Sequence, residues 1–454
     1  MLSFFIATDG FTQTIRPTDE QQQARAIYQQ FIEFPSGFST GKSTPLVEAA
    51  AARLKAAGFQ APDIFVGGAS PDKLNLVVRY KGTGEKAPIL LLAHTDVVEA
   101  KRADWSLEPF KLTEKEGYFY GRGTLDDKAQ GAIWLANLIQ FKKEGYKPKR
   151  DIILALTTDE EGDSPYNGVR WLIKNHPKLI SAEFALNEGG WGDISNGKPV
   201  VNNIQVSEKY IMDFRIEAHN KGGHSSIPSP DNAIYHLAAA INKISQFDFP
   251  LKADEAGVDY LNKMAAISDA PLKSTLKAAA QQSQVAMKKL AASSLTWNAK
   301  LRTTCIPTLL EGGHAKNALP QLAAANINCR VLPQETPEFV QKTLTKIIND
   351  PQIEIKLTNE VDRGAVSPLT PEIRQVVERT SNAIWPGVPL IPIMITGGTD
   401  GRFLRAAGIP TYGVMGLFLE TNDFRAHGKD ERILVSAFYQ SQAFLYELVK
   451  SLSA

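Results

Sequence analysis

Four acidic segments and two histidines carry the chemistry this sequence could do. His94 and Asp96 stand two residues apart after the apolar run PILLLA. Asp126 and Asp127 lie in GRGTLDDK, Glu160 and Glu161 in TTDEEGD, and Glu188 in ALNEGG. His427 follows far down the chain, in the Gly-flanked RAHGKDERI. Taken singly, each has a plain explanation: a surface His–Asp pair, a helix N-cap, a solvated loop. Taken jointly they do not. Carboxylates gathered at successive strand ends repel one another unless a cation neutralises them. Two imidazoles among carboxylates, with no thiolate, suit zinc or a similar divalent metal. The carboxylates outnumber the needs of one ion. Two metals sharing a bridging carboxylate, with another carboxylate left as base, fit better.

The elements that must position these residues follow from the apolar pattern. LNLVVRY, PILLLA, DIILALTT and AEFALNE are short apolar runs of strand type, and DDKAQGAIWLANLIQFKKEG is a helix ending at Gly145. Strands alternating with helices predict an α/β catalytic domain with a mostly parallel sheet, and open sheets of this kind build sites at the carboxyl ends of their strands. Near position 208 the style changes. YIMDFRIEA alternates apolar and polar, the mark of a half-exposed strand. A helix, an Ala- and Lys-rich helical stretch to about 298, two strands, a helix and a strand follow. Strand–helix–strand–strand–helix–strand is the order of a ferredoxin-like α+β unit. From about 365 the α/β style returns. The expected division is residues 1–207 and 363–454 for the catalytic domain, interrupted at 208–362 by a smaller lid or dimerisation domain.

Composition sets the outer bounds. The chain has 454 residues and a formal net charge of +1. That length allows two or three domains, and that charge offers nothing to nucleic acid or an anionic membrane surface. The start, MLSFFIATDG, is mildly apolar but lacks a basic flank and is short for a complete signal peptide. Cys305 and Cys329 form no Cys-X-X-Cys motif, which excludes Cys-rich structural zinc.

The segments AHTDVV, GRGTLDDK, TTDEEGD, ALNEGG, KGGHSSIP, NALP, GGTDGRF and HGKDERI resemble, in order, the motifs of a family of dizinc metallopeptidases. That family includes aminoacylases, carboxypeptidases of the glutamate and Gly-X types, and the deacylases of acetylornithine and succinyl-diaminopimelate. The resemblance implies that His94 and Glu188 hold one zinc, Glu161 and His427 the other, with Asp126 bridging. Cobalt or manganese would suit the same ligands. It implies Glu160 as general base toward a metal-activated water, and Asp96 hydrogen-bonded to the second nitrogen of His94. It implies a cis peptide after Asp126. Glu160 and Glu161 are expected to diverge as neighbours on an extended segment do.

In the inserted domain the resemblance makes His224 an oxyanion-stabilising residue that reaches a neighbouring subunit's site, hence a homodimer. It makes Asn317 and Arg330 contacts to a substrate carboxylate, for which a guanidinium is chemically apt. Gly397 and Gly398 would offer backbone N–H groups to the same carboxylate. Arg402 is left between such a role and a scaffold ion pair, and Trp191 between pocket wall and plain packing. The expected substrates carry a free α-carboxylate beside the cleaved amide: N-acyl amino acids, dipeptides or peptide carboxyl ends. An exopeptidase acting from the amino end, a non-catalytic metal-binding homologue and a protein with a single structural zinc are the alternatives.

Cys305 and Cys329 are equidistant from Asn317. A hairpin turning there would set them opposite each other, as a disulfide or as two thiols. A disulfide and an apolar leader remnant would favour a periplasmic or secreted protein over a cytoplasmic one.

Overall fold

The computed structural model of the chain describes residues 17–162 and 164–454. The apolar start at 1–10 lies outside the described residues. At the centre of a ten-stranded sheet, Ile152–Thr157, Ile89–His94, Phe184–Asn187 and Thr411–Gly413 run side by side in parallel. Every residue of these four strands is buried. That explains their unbroken apolar runs: helices cover both faces, so no position faces water. Lys73–Tyr80 and Ile64–Ser70 extend one side as antiparallel strands. On the other side lie Lys198–Glu208 and, parallel to it, Leu390–Ile395.

The helix Lys128–Glu144 is buried along most of its length, with Trp134 fully enclosed. It stops at Gly145, which takes the left-handed conformation (φ 67°) that closes helices at little cost to glycine. Asp127, at its N-cap, does not cap it through its side chain. The peptide between Asp126 and Asp127 is cis.

The inserted domain has the expected order. Tyr210–His219, Thr304–Gly312, Leu322–Val331 and Ile353–Leu357 form a four-stranded antiparallel sheet, with Ala233–Ser245 and Pro337–Ile348 as its helices. Tyr210–His219 alternates buried and half-buried positions until its last residue, the burial that its sequence alternation predicts. The four short helices between Glu255 and Leu301 have their own apolar core. Tyr260 and Met264 from this stretch rest on Val201, Ile391 and Ile393 of the main sheet. The inserted segment therefore holds two structures, one of which leans on the catalytic domain. Cys305 and Cys329 are directly paired across neighbouring strands and form a disulfide, with Cα atoms 4.0 Å apart.

Candidate metal centre and active site

His94 is the last residue of its strand and pairs with Thr157, the last of the next. Glu160 and Glu161 follow Thr157, and Glu188 follows the strand Phe184–Asn187. Strand ends thus bring three of the four acidic segments to one edge, and the start of helix Lys128–Glu144 brings the fourth. His427 arrives from a loop, in the left-handed conformation (φ 63°) beside Gly428.

Asp126 is the centre of the cluster. Its Oδ1 lies 2.9 Å from His94 Nε2, and its Oδ2 lies 3.1 Å from His427 Nε2. His94 Nε2 is 3.8 Å from Glu188, and His427 Nε2 is 3.1 Å from Glu161. Ligand atoms of His94, Glu160 and Glu188 lie mutually within 4.8 Å, and so do those of His94, Asp126 and Glu161. Residues far apart in sequence therefore meet as two overlapping groups that share His94.

The electrostatics are those of a crowded anionic site. Desolvation pushes the Glu160 carboxyl well above the ordinary range; His94 opposes this, while Asp400 and Glu161 add to it. Desolvation likewise raises Glu161, Glu188 and Asp127. Asp126 goes the other way. Its own desolvation is outweighed by hydrogen bonds with His427 and His94, which hold it below the carboxylate range. Those bonds, with Glu161, raise His427 to about 10. Burial disfavours charge on His94, yet Glu188, Asp126 and Asp96 prevail and raise it. The surrounding carboxylates thus draw both imidazoles toward their charged forms. Even so, Glu161 Oε1 and both oxygens of Asp127 are buried without any hydrogen-bond partner. Orphan carboxylate oxygens beside two imidazoles fit a divalent cation of the kind the donor set favours.

Two details differ from the expectations. His94 Nδ1 hydrogen-bonds the backbone carbonyl of Asp96 at 3.0 Å, whereas the Asp96 carboxylate stands 3.7 Å away, too far for a hydrogen bond. That carboxylate instead accepts the N–H groups of Glu160 (3.2 Å) and Glu161 (3.1 Å). It therefore shapes the loop that carries both glutamates. The two glutamates diverge in that bend, after Asp159 at φ 60°, and not through strand alternation. Lys73, paired with the Asp159 carboxylate at 2.6 Å, and Asn167, donating to the Asp159 carbonyl at 3.1 Å, brace the same bend.

A cavity of about 780 Å³ opens over the cluster. Asp126, Glu160, Glu161, Glu188 and His427 line its floor, and Arg330 enters from the inserted domain. Gly397, Gly398 and Arg402 also line it. Trp191 does so too, its ring 5.1 Å from that of Phe424. His224 and Asn317 do not. They sit together on the exterior of the inserted domain, where Gly223–His224 pairs with Ala318–Leu319 and Ser225 N–H donates to the Asn317 carbonyl. Both are exposed.

Sequence reasoning passed over several residues that build the site. Buried Glu431 accepts the N–H groups of Gly123, Leu125 and Asp126 at 3.1, 2.7 and 3.1 Å, and pairs with Arg122 at 2.5 Å. It fixes the place of Asp126 in the cluster. Buried Asp400 accepts from Asn167 and Thr157 (2.7 and 3.2 Å), and burial raises it to about 6. Both lie inside segments already singled out, HGKDERI and GGTDGRF. The signal available was a carboxylate within a segment already singled out.

Comparisons with known proteins identify the family and the fold. The sequence profile of peptidase family M20/M25/M40 matches residues 90–451. The human N-fatty-acyl-amino acid synthase/hydrolase PM20D1 is 30% identical over 372 residues, covering 80% of this chain and 74% of that one. A probable carboxypeptidase S-like 2 of Dictyostelium discoideum is 28% identical over 401 residues, covering 84% and 76%. Among solved structures, the M20 family metallo-carboxypeptidase Sso-CP2 of Sulfolobus solfataricus superposes with a TM-score of 0.67 at 18% identity, covering 95% of this chain and 99% of that one.

Proposed function

Since the chain belongs to peptidase family M20/M25/M40 and is a hydrolase of amide or peptide bonds, we propose that it cleaves the amide next to a free α-carboxylate. The substrates are N-acyl amino acids, dipeptides or the carboxyl ends of short peptides. The observation that carries this reading is one cavity holding both a metal-ligand cluster and a guanidinium, Arg330, presented by the other domain.

His94 and Glu188 would hold one metal and Glu161 and His427 the other, with Asp126 offering one oxygen to each side. Zinc is the ion this donor set favours. The bound metals supply an activated water and polarise the substrate carbonyl. Glu160, without a ligand role, takes the water's proton and hands it to the leaving nitrogen; its raised pKa suits both steps. Asp96 and Glu431 hold the loops that carry these groups. Arg330 anchors the carboxylate with the backbone of Gly397 and Gly398. Trp191 and Phe424 give an apolar wall on which an acyl chain can rest. A fatty-acyl group on the human relative's substrate and a carboxypeptidase among the structural neighbours both accord with that layout.

A homodimer through the inserted domain completes the proposal. Thr304–Gly312 is an edge strand whose Ile306, Leu309 and Leu310 are 58%, 67% and 69% exposed. Ile234 and Tyr235 on the adjoining helix are exposed as well. An apolar edge of this kind invites pairing with another strand. In a dimer His224 would reach the partner's cavity as an oxyanion donor, with Asn317 beside it. Among the described residues no helix is long and apolar enough to cross a membrane. The disulfide supports an oxidising compartment, periplasmic or extracellular. Metal content per chain, with hydrolysis of a panel of N-acyl amino acids and dipeptides before and after chelation, tests the reading. Two metals and chelator-sensitive release of a free amino acid are expected; one metal or none, with no turnover, would overturn it.

A further inference from the structure

Three arginines line the cavity, and they are not equivalent. Arg170 is committed: it pairs with Glu360 and Asp362, joining the catalytic domain to the inserted segment. Arg330 is positioned and left open. Asp213 accepts from the side-chain amides of Asn326 and Asn328, and Asn328 in turn accepts from Arg330 Nε at 3.3 Å. The outer fork of the guanidinium is thereby aimed and not consumed. Arg402 is also open. Its guanidinium lies over the ring of buried Phe403, 4.5 Å from the centroid. Among the described residues neither Arg330 nor Arg402 is in direct contact with a carboxylate, although the charge of Arg402 acts on Asp362 and on buried Asp400.

The two open guanidinium groups belong to different domains yet face one cavity. Both line that cavity, where burial weighs most on the charge of Arg330 and the like charge of Arg402 adds to it. Two such cations are held together at a cost unless an anion sits between them. The Arg402 Nη1 position depends on Gly398, where a Cβ would come within 2.3 Å of it. The carboxylates on this side of the cavity, Asp213, Glu360 and Asp362, already match the three arginines in number. A single added carboxylate, with lone pairs enough for two forks, is therefore better accommodated than two.

We propose that Arg402 is the second arm of a clamp which, with Arg330, closes across the domain boundary on the single α-carboxylate of the substrate. This rests on the free-carboxylate reading above. The clamp makes binding of that group depend on the two domains being correctly apposed.

The test is a cycle between enzyme and substrate. The best substrate of the panel and its α-carboxamide analogue are compared on wild type, Arg402→Gln, Arg402→Lys, Arg330→Gln and Gly398→Ala. Losing one charge-assisted contact should raise KM for the acid about 10- to 100-fold in Arg402→Gln, with kcat less changed. The carboxamide should be nearly unaffected. Arg402→Lys should recover part of the loss, and Gly398→Ala should reproduce the KM effect by displacing the guanidinium. If Arg402→Gln weakens acid and amide equally while Arg330→Gln abolishes their discrimination, the clamp is wrong and the free-carboxylate reading stands. A wild type that treats acid and amide alike, or cleaves neither, removes that reading and the clamp with it.

Discussion

The cavity floor and the outer face of the inserted domain are built on opposite terms. On the floor, loops are fixed by carboxylates from elsewhere in the chain that accept their backbone N–H groups: Asp96 holds the Glu160 loop, and Glu431 holds Asp126. On the outer face, His224 Nδ1 meets only its neighbour Ser226 (2.6 Å), and Asn317 touches the same loop through its backbone. The floor is complete within one chain. The outer face has residues of the same motif series but nothing opposite them. Membership of a motif therefore does not fix membership of a site. Convergence does, and for His224 the proposed dimer is what supplies it.

The sharpest break would come on the floor. Glu160→Gln should lower turnover by roughly 10²- to 10⁴-fold while leaving the metal content unchanged. A variant that keeps wild-type turnover would remove the base assignment, and one that loses metal would make Glu160 a ligand. On the outer face, His224→Ala should lower kcat by about 10²-fold or more. Mixing it with Glu160→Gln should restore part of the activity, since a mixed dimer contains one site with both groups. No recovery on mixing, after subunit exchange is verified, would end the trans role.

A smaller effect separates the two regions by pH. Without metal, His427 is raised to about 10 and His94 is also raised, so both imidazoles are shifted toward their protonated forms. Metal must displace those protons. Affinity should therefore fall as pH falls, about tenfold per pH unit for each proton released, anywhere below the raised pKa values. Zinc titrations at several pH values, with proton release read by an indicator, check the sign; affinity independent of pH would contradict it. The smallest change belongs to the inserted domain. Replacing Cys305 and Cys329 by Ser should lower stability by about 2–4 kcal/mol, as expected for a loop of this size, and leave metal affinity alone. Denaturant unfolding with and without reductant measures it. A fall in metal affinity in that variant would show that the two regions are coupled.

Much of the architecture was legible because local pattern carries it. Unbroken apolar runs predicted the buried parallel strands, and the alternation of YIMDFRIEA predicted the half-exposed strand after the domain boundary. The Cys305–Cys329 pairing followed from hairpin symmetry about Asn317. The helices between Glu255 and Leu301 show the limit. Their helical character could be read, but their lodging on Ile391 and Ile393 could not, because one apolar helix face fits many apolar surfaces.

The same division holds at the site. By itself the sequence determined which residue types stand at the strand ends, and hence that the chemistry is a divalent metal among carboxylates and two imidazoles. Only the tertiary structure decided how they share the work. It gave the hydrogen bonds of the Asp96 carboxylate to the Glu160 loop and that of its carbonyl to His94, brought Glu431 up behind Asp126, set Arg402 and Arg330 on one cavity, and kept His224 outside. The reason is physical. A residue's chemical capacity resides in its own atoms, whereas its partners, its solvation and its charge are set by groups that the fold brings from hundreds of positions away.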